Sequence, residues 1–91
     1  MEKSTDHFFY VLECSDHSFY GGYTTDLEKR LKAHNSGKGA KYTRGRGPVR
    51  LIHWERFHTV TEAMRAEYAF KQLTRKQKVD YLQREGSCYD R

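Results

Sequence analysis

Residues 7–23 read HFFYVLECSDHSFYGGY, and this stretch decides the fold. His7 to Glu13 is aromatic and β-branched and reads as a strand. Ser15, Asp16, His17 and Ser18 supply turn chemistry, and Phe19 to Tyr23 reads as a second strand, so the pair forms a hairpin. Beyond it, Thr25 and Glu28 have capping-box spacing, with Leu27 and Leu31 marking the inner face of a helix that runs to about Asn35. Gly37, Gly39, Gly45, Gly47 and Pro48 prevent regular structure, making residues 36–48 a long loop of the kind that usually carries function. Val49 to Phe57 reads as a third strand, with Ile52 and Trp54 on one face and Leu51 and Phe57 on the other. Thr59 or Thr61 caps a second helix, whose stripe is Ala63, Ala66, Phe70 and Leu73. Thr74 and Gln77 open a third, with Val79 and Leu82 inside. The expected class is α/β (α+β): a small, three-stranded, mostly antiparallel sheet with flanking helices, in the order β-β-α-β-α-α.

Ninety-one residues suit one domain over 1–91, with a core at about 7–83 and a polar tail over 85–91. A chain of this length buries roughly 60–65% of its unfolded surface. The longest apolar run, Phe8 to Leu12, is far short of a membrane span, and the N-terminus lacks a signal-peptide pattern; both point to a cytoplasmic protein without a membrane partner. Cys14 and Cys88 lie at opposite ends without CxxC spacing and read as free thiols. The net charge is +5, and its distribution is uneven: residues 36–60 hold six Lys/Arg against one acid. Within that segment Lys38, Lys41, Arg44, Arg46 and Arg50 have no acid among them before position 51, and glycines and Tyr42 lie between them. Such a loop offers phosphate contacts, close backbone approach and a stacking ring, which fits nucleic acid better than a merely solvated turn.

Tyr10 on the first strand, Tyr20 on the second, Arg30 and His34 one turn apart on the first helix, and Glu67 on the second helix are candidates for one cluster. At 100° per residue, Arg30 and His34 lie beside Leu27 and lean over the sheet. Each has a bland reading taken singly: a core tyrosine, a surface arginine, a histidine favoured by the helix dipole, an exposed glutamate.

The joint pattern weighs against those bland readings. Phe9-Tyr10-Val11-Leu12, Tyr20-Gly21-Gly22-Tyr23-Thr24, Arg30-x-x-x-His34 and the later Glu67 resemble the GIY-YIG nuclease superfamily over about residues 7–83. The run through Thr25-Asp26-Leu27 and His34-Asn35-Ser36-Gly37-Lys38-Gly39-Ala40-Lys41-Tyr42-Thr43 is similar to its small stand-alone bacterial group. The resemblance implies metal-dependent hydrolysis of a phosphodiester that leaves the phosphate on the 5′ end. It matches the family's motif tyrosines to Tyr10 and Tyr20, its helical arginine to Arg30, the histidine or tyrosine one turn later to His34, its metal-binding glutamate to Glu67, and a motif glycine to Gly22.

The residue types suit that chemistry. Arg30 would meet charge developing on the phosphate, and Glu67 would hold one Mg²⁺ or Mn²⁺ to stabilise the departing oxygen. Tyr10 and Tyr20 would jointly position and deprotonate water, with His34 assisting. The expected function is a structure-preferring DNA endonuclease, in repair or recombination, with RNA left open as substrate and a protein partner as a source of specificity. The sequence departs from the family in having Phe8 and Phe9 in the first motif, Gly21 in the second, and no asparagine after Asn35. That last departure favours the alternative, a catalytically weak or inactive nucleic-acid-binding accessory module. A nucleotide-binding reading of Gly37-Lys38-Gly39 lacks P-loop spacing.

Overall fold

The computed structural model describes residues 6–39, 43 and 45–85. Strand β1 (His7–Glu13) lies at the centre of an antiparallel sheet of order β2-β1-β3, between β2 (Phe19–Thr24) and β3 (Arg50–Phe57). Helices α1 (Leu27–Asn35), α2 (Val60–Lys71) and α3 (Arg75–Arg84) complete the expected β-β-α-β-α-α order.

The central strand organises two cores because alternate side chains point to opposite faces. Phe9 and Val11 pack with Phe19, Ile52, Phe70 and Leu82, a cluster that α2 and α3 cover through Ala66, Leu73, Val79 and Tyr81. Tyr10 and Leu12 point the other way and pack with Cys14 and Val49 beneath Leu27 and Leu31 of α1. All four strand residues are at most 2% exposed, so β1 is buried on both faces.

Local signals place the helices. Thr59 caps α2 by accepting from the Glu62 amide, and the Thr74–Gln77 capping box of α3 is complete. At α1 the cap is Asp26, which accepts from the Lys29 amide at 3.1 Å, rather than Thr25. Thr24 Oγ1 accepts from the Asp26 amide and so stabilises the turn one residue away from the expected box. Strand β3 also differs from simple alternation. A register shift opposite Val11 and Leu12 pairs Leu12 with Leu51 but Val11 with His53. The extra residue sends both Ile52 and Phe57 into the core under α2 and α3, puts Leu51 in the core under α1, and leaves Trp54 52% exposed. The expected grouping of Ile52 with Trp54 and of Leu51 with Phe57 is therefore incorrect.

The chain between α1 and β3 is tied back at both ends. Asn35 accepts from the Val49 amide at 2.7 Å and donates to the Val49 carbonyl at 3.2 Å, so one side chain closes the segment. Farther along, Ser15 N donates to Arg46 O at 2.8 Å. Because Val49 is buried, removing its partner leaves polar backbone unpaired. Asn35→Ala is expected to lower unfolding free energy by about 1–3 kcal/mol, seen as a lower urea midpoint at unchanged m-value; an unmoved midpoint would deny the clamp its role.

Candidate active site on the face under helix α1

Tyr10 leaves β1 beneath α1 and is 2% exposed. Its directly opposite neighbour on β2 is Gly22, and a Cβ there would stand 2.5 Å from both Cζ and the hydroxyl of Tyr10. The tyrosine ring therefore lies over β2 only because position 22 has no side chain. Two residues along β2, on the same face, Tyr20 brings its ring to 6.4 Å from that of Tyr10 and 5.3 Å from the His34 imidazole. One α1 turn separates Arg30 from His34, and both reach the Tyr10 hydroxyl. Arg30 Nε donates to it at 3.3 Å, and His34 Nε2 lies 2.9 Å away. Behind the imidazole, His34 Nδ1 is 2.8 Å from Thr43 Oγ1, with Thr43 2% exposed.

Burial sets the charge states. It raises the Tyr10 phenol above its ordinary value, partly opposed by Arg30. The same desolvation, with the Arg30 charge beside it, lowers His34 from 6.5 to about 4. The imidazole is thus neutral at pH 7, and the hydrogen bond that Arg30 donates to Tyr10 holds the guanidinium more firmly in its charged form. A neutral phenol that accepts from Arg30 has its proton to give, and the Nε2 lone pair is within reach.

Glu67 arrives from the other layer. Ala63, Glu67 and Phe70 share the inner side of α2, and this helix approaches β2 closely because Gly21 presents no side chain to it. A Cβ at Gly21 would be 3.1 Å from the Phe70 ring. At the β2 edge, Glu67 pairs with Lys71 at 3.0 Å, and the same ammonium lies 5.9 Å from the Tyr20 ring centroid. The Glu67 charge acts on Tyr10, helping to raise its phenol. Four of the five proposed residues are thus gathered on the α1 face, and Glu67, on α2, reaches them through its charge at Tyr10 and through Lys71 beside Tyr20. Among the described residues no three His, Cys, Asp or Glu side chains converge to hold a metal ion. Glu67 is nevertheless a carboxylate of 16% side-chain exposure that already holds one cation, the ammonium of a half-exposed lysine. A single carboxylate of that kind fits Mg²⁺, which keeps several of its waters.

A cavity of about 390 Å³ opens beside Arg30, lined by Thr24, Thr25, Asp26, Lys29, Arg30 and Ala33. Of the basic loop residues, Lys38 is exposed, whereas Arg46 donates to Asp16 at 2.7 Å and ties the loop to the hairpin turn. Lys41, Tyr42 and Arg44 lie outside the described residues. The sequence pattern did not single out Thr43, which sits in an aperiodic loop. Nor did it single out Lys71, although its i,i+4 spacing from Glu67 was readable.

A sequence model of the GIY-YIG catalytic domain matches residues 6–80. Among curated proteins, a UPF0213 protein of Bacillus velezensis is 64% identical over 81 residues, spanning 89% of this chain and 82% of that protein. A UPF0213 protein of Enterococcus faecalis is 63% identical over 84 residues, spanning 90% and 96%. Among solved structures, the NMR structure of the UPF0213 protein BH0048 from Bacillus halodurans is 53% identical with a TM-score of 0.61, covering 89% of this chain and 86% of that one. That of EF2693 from E. faecalis is 59% identical with a TM-score of 0.63, covering 94% and 92%.

A histidine held below its unfolded value makes the unfolded chain bind more protons between pH 4 and 6.5, so stability rises with pH across that window. The contribution, about 3 kcal/mol, is complete above pH 6.5 and lost on acidification toward pH 4. Melts across this range should show a marked acid loss in the wild type and a flatter profile in His34→Gln. Equal slopes would mean that His34 titrates normally.

Proposed function

This chain belongs to the GIY-YIG nuclease family, and from that premise we propose that it is a metal-dependent, structure-preferring DNA endonuclease acting in repair or recombination. The observation that carries the reading is the convergence of Arg30 and His34 on the buried Tyr10 hydroxyl, with Tyr20 alongside and Glu67 at the sheet edge.

Hydrolysis needs water to lose a proton as it attacks phosphorus. A phenol raised above pKa 10 is less than about 0.1% ionised at pH 7, so a standing phenolate at Tyr10 is not the base. The hydrogen bond to His34 offers a concerted path: the Tyr10 oxygen takes the water proton while its own proton passes to Nε2. His34, depressed to about 4, is a poor place for that proton to remain, so it passes back to the Tyr10 oxygen as that oxygen releases the water-derived proton to the leaving oxygen or to solvent. Tyr20, less buried than Tyr10 and against both rings, orients the water. Arg30 sits beside the cavity and bears a fixed positive charge, suited to the phosphate oxygens as charge builds on them. Glu67 would hold one Mg²⁺ or Mn²⁺, which when bound supplies positive charge to the leaving 3′ oxygen. Lys71 must release Glu67 for this, and its exposed, flexible stem permits it. Lys38, Arg46, Lys41, Tyr42 and Arg44 supply the sequence-independent grip on the nucleic acid, and specificity comes from substrate shape or a protein partner.

The Glu67–Lys71 pair also favours a second reading, in which the carboxylate is permanently neutralised and the chain is a nucleic-acid-binding accessory module. Labelled branched, flapped and plain duplex DNA with Mg²⁺ or Mn²⁺ separates the two. Glu67→Ala and Arg30→Ala should each slow cleavage by about 10² or more. Without metal, Glu67→Ala should bind DNA as well as wild type or better, because a negative charge near phosphate is gone, whereas Arg30→Ala should bind less well. Binding without metal-dependent cleavage of any branched substrate would replace the nuclease with the accessory module.

A further inference from the structure

We propose that Thr43 is a positioning residue that fixes the tautomer of His34, so that the loop carrying the basic residues sets whether the Nε2 lone pair faces Tyr10. The inference rests on the reading of Tyr10 and His34 given above, but its primary test needs no substrate.

A neutral imidazole has one N–H and one lone pair, and which nitrogen carries the proton follows from the partner of each. His34 is 2% exposed, so solvent does not decide it. Nε2 faces the Tyr10 hydroxyl at 2.9 Å, and Nδ1 faces Thr43 Oγ1 at 2.8 Å. The Tyr10 oxygen already accepts from Arg30 Nε, a group that can only donate. With the phenol protonated, its hydrogen goes to Nε2, and Nδ1 must then donate to Oγ1. The hydroxyl of Thr43 is thereby an acceptor, and the chain of donors runs from Tyr10 through His34 to Thr43. The reverse polarity, Thr43 donating to Nδ1 and Nε2–H donating to Tyr10, would set two donors against the phenol oxygen and turn the phenol's own proton away from the imidazole.

The loop makes this contact tight. Gly39 packs its backbone against the imidazole, and a Cβ at that position would overlap Nδ1 itself. Thr43 is also buried and supports the loop by accepting from the Arg46 amide at its carbonyl, 3.1 Å away. Arg46 in turn is held by Asp16 and by the Ser15 amide. The loop thus reaches the proton acceptor through the Thr43 hydroxyl and the Gly39 backbone, and its basic residues lie close to both in sequence.

The test replaces only that hydroxyl. Thr43→Val exchanges the hydroxyl for a methyl of similar size, and Thr43→Ser keeps it. Imidazole ¹⁵N shifts of His34 at pH 7, without DNA or metal, should report Nδ1–H in the wild type and in Thr43→Ser. In Thr43→Val the signal should shift toward a mixture or toward Nε2–H. With a cleavable substrate, kcat should fall by about 10- to 100-fold in Thr43→Val, as is typical when the partner orienting a functional histidine is removed, with KM little changed and Thr43→Ser restoring the rate. Thermal melts of both variants distinguish a changed tautomer from a lost fold, and the ¹⁵N shifts are read only at temperatures where the variant is folded. An Nε2–H tautomer in the wild type, or an unchanged Nδ1–H tautomer in folded Thr43→Val, would overturn the proposal. Absence of any cleavage by the wild type would instead count against the nuclease reading alone.

Discussion

The hydrogen bond between the Tyr10 hydroxyl and His34 Nε2 is the contact on which the site depends, because it joins the central strand to α1 between two residues that are each only 2% exposed. Each partner alone would be costly to bury, and together they satisfy one another. Every other element of the site is arranged around that pair: Arg30 caps the phenol from α1, Thr43 closes the imidazole from the loop, and Tyr20 packs against both rings. No buried side-chain polar atom among the described residues is left without a partner. The low value of His34 and the raised value of Tyr10 are two results of this one burial.

Two adjacent glycines make the arrangement possible, one for each face of the sheet. Gly22 lets the Tyr10 ring cross β2 on the α1 side, and Gly21 lets Phe70 and α2 approach β2 on the other. The second effect lets α2 carry Glu67 close enough for its charge to act on Tyr10. A side chain at position 22 would collide with the Tyr10 ring, and one at position 21 would press on Phe70. On the far side, Tyr81 donates to Glu55, which also pairs with His53 at 2.8 Å, so that α3 is fastened to β3 by a polar contact as well as by Leu82.

Much of this was legible in the sequence because it rests on local periodicity. The aromatic and β-branched run over residues 7–13 marked a strand, and the Thr74–Gln77 spacing marked the start of α3. Periodicity made a shared face for Tyr10, Tyr20, Arg30 and His34 possible, and it was their resemblance to the GIY-YIG motifs that singled them out. What was not legible depends on tertiary partners. A bulge inserts one residue without any change in composition, so the faces of β3 could not be read from its own pattern. Asn35 and Thr43 act through their side chains on residues 14 and 9 positions away, at separations that follow no period. The charge of the loop was plain, yet the tie from Arg46 to Asp16 spans 30 residues and could not be inferred from charge alone.

The central claim is that the Tyr10 hydroxyl acts in the chemistry and does not merely fill the core, and Tyr10→Phe isolates that one atom while keeping the ring. The measurement is metal-dependent cleavage of the preferred branched DNA by Tyr10→Phe under single-turnover conditions, beside a melt of the same protein. The account predicts a folded protein whose cleavage rate is lower by about 10² to 10⁴. A folded Tyr10→Phe protein that cleaves at the wild-type rate would contradict it.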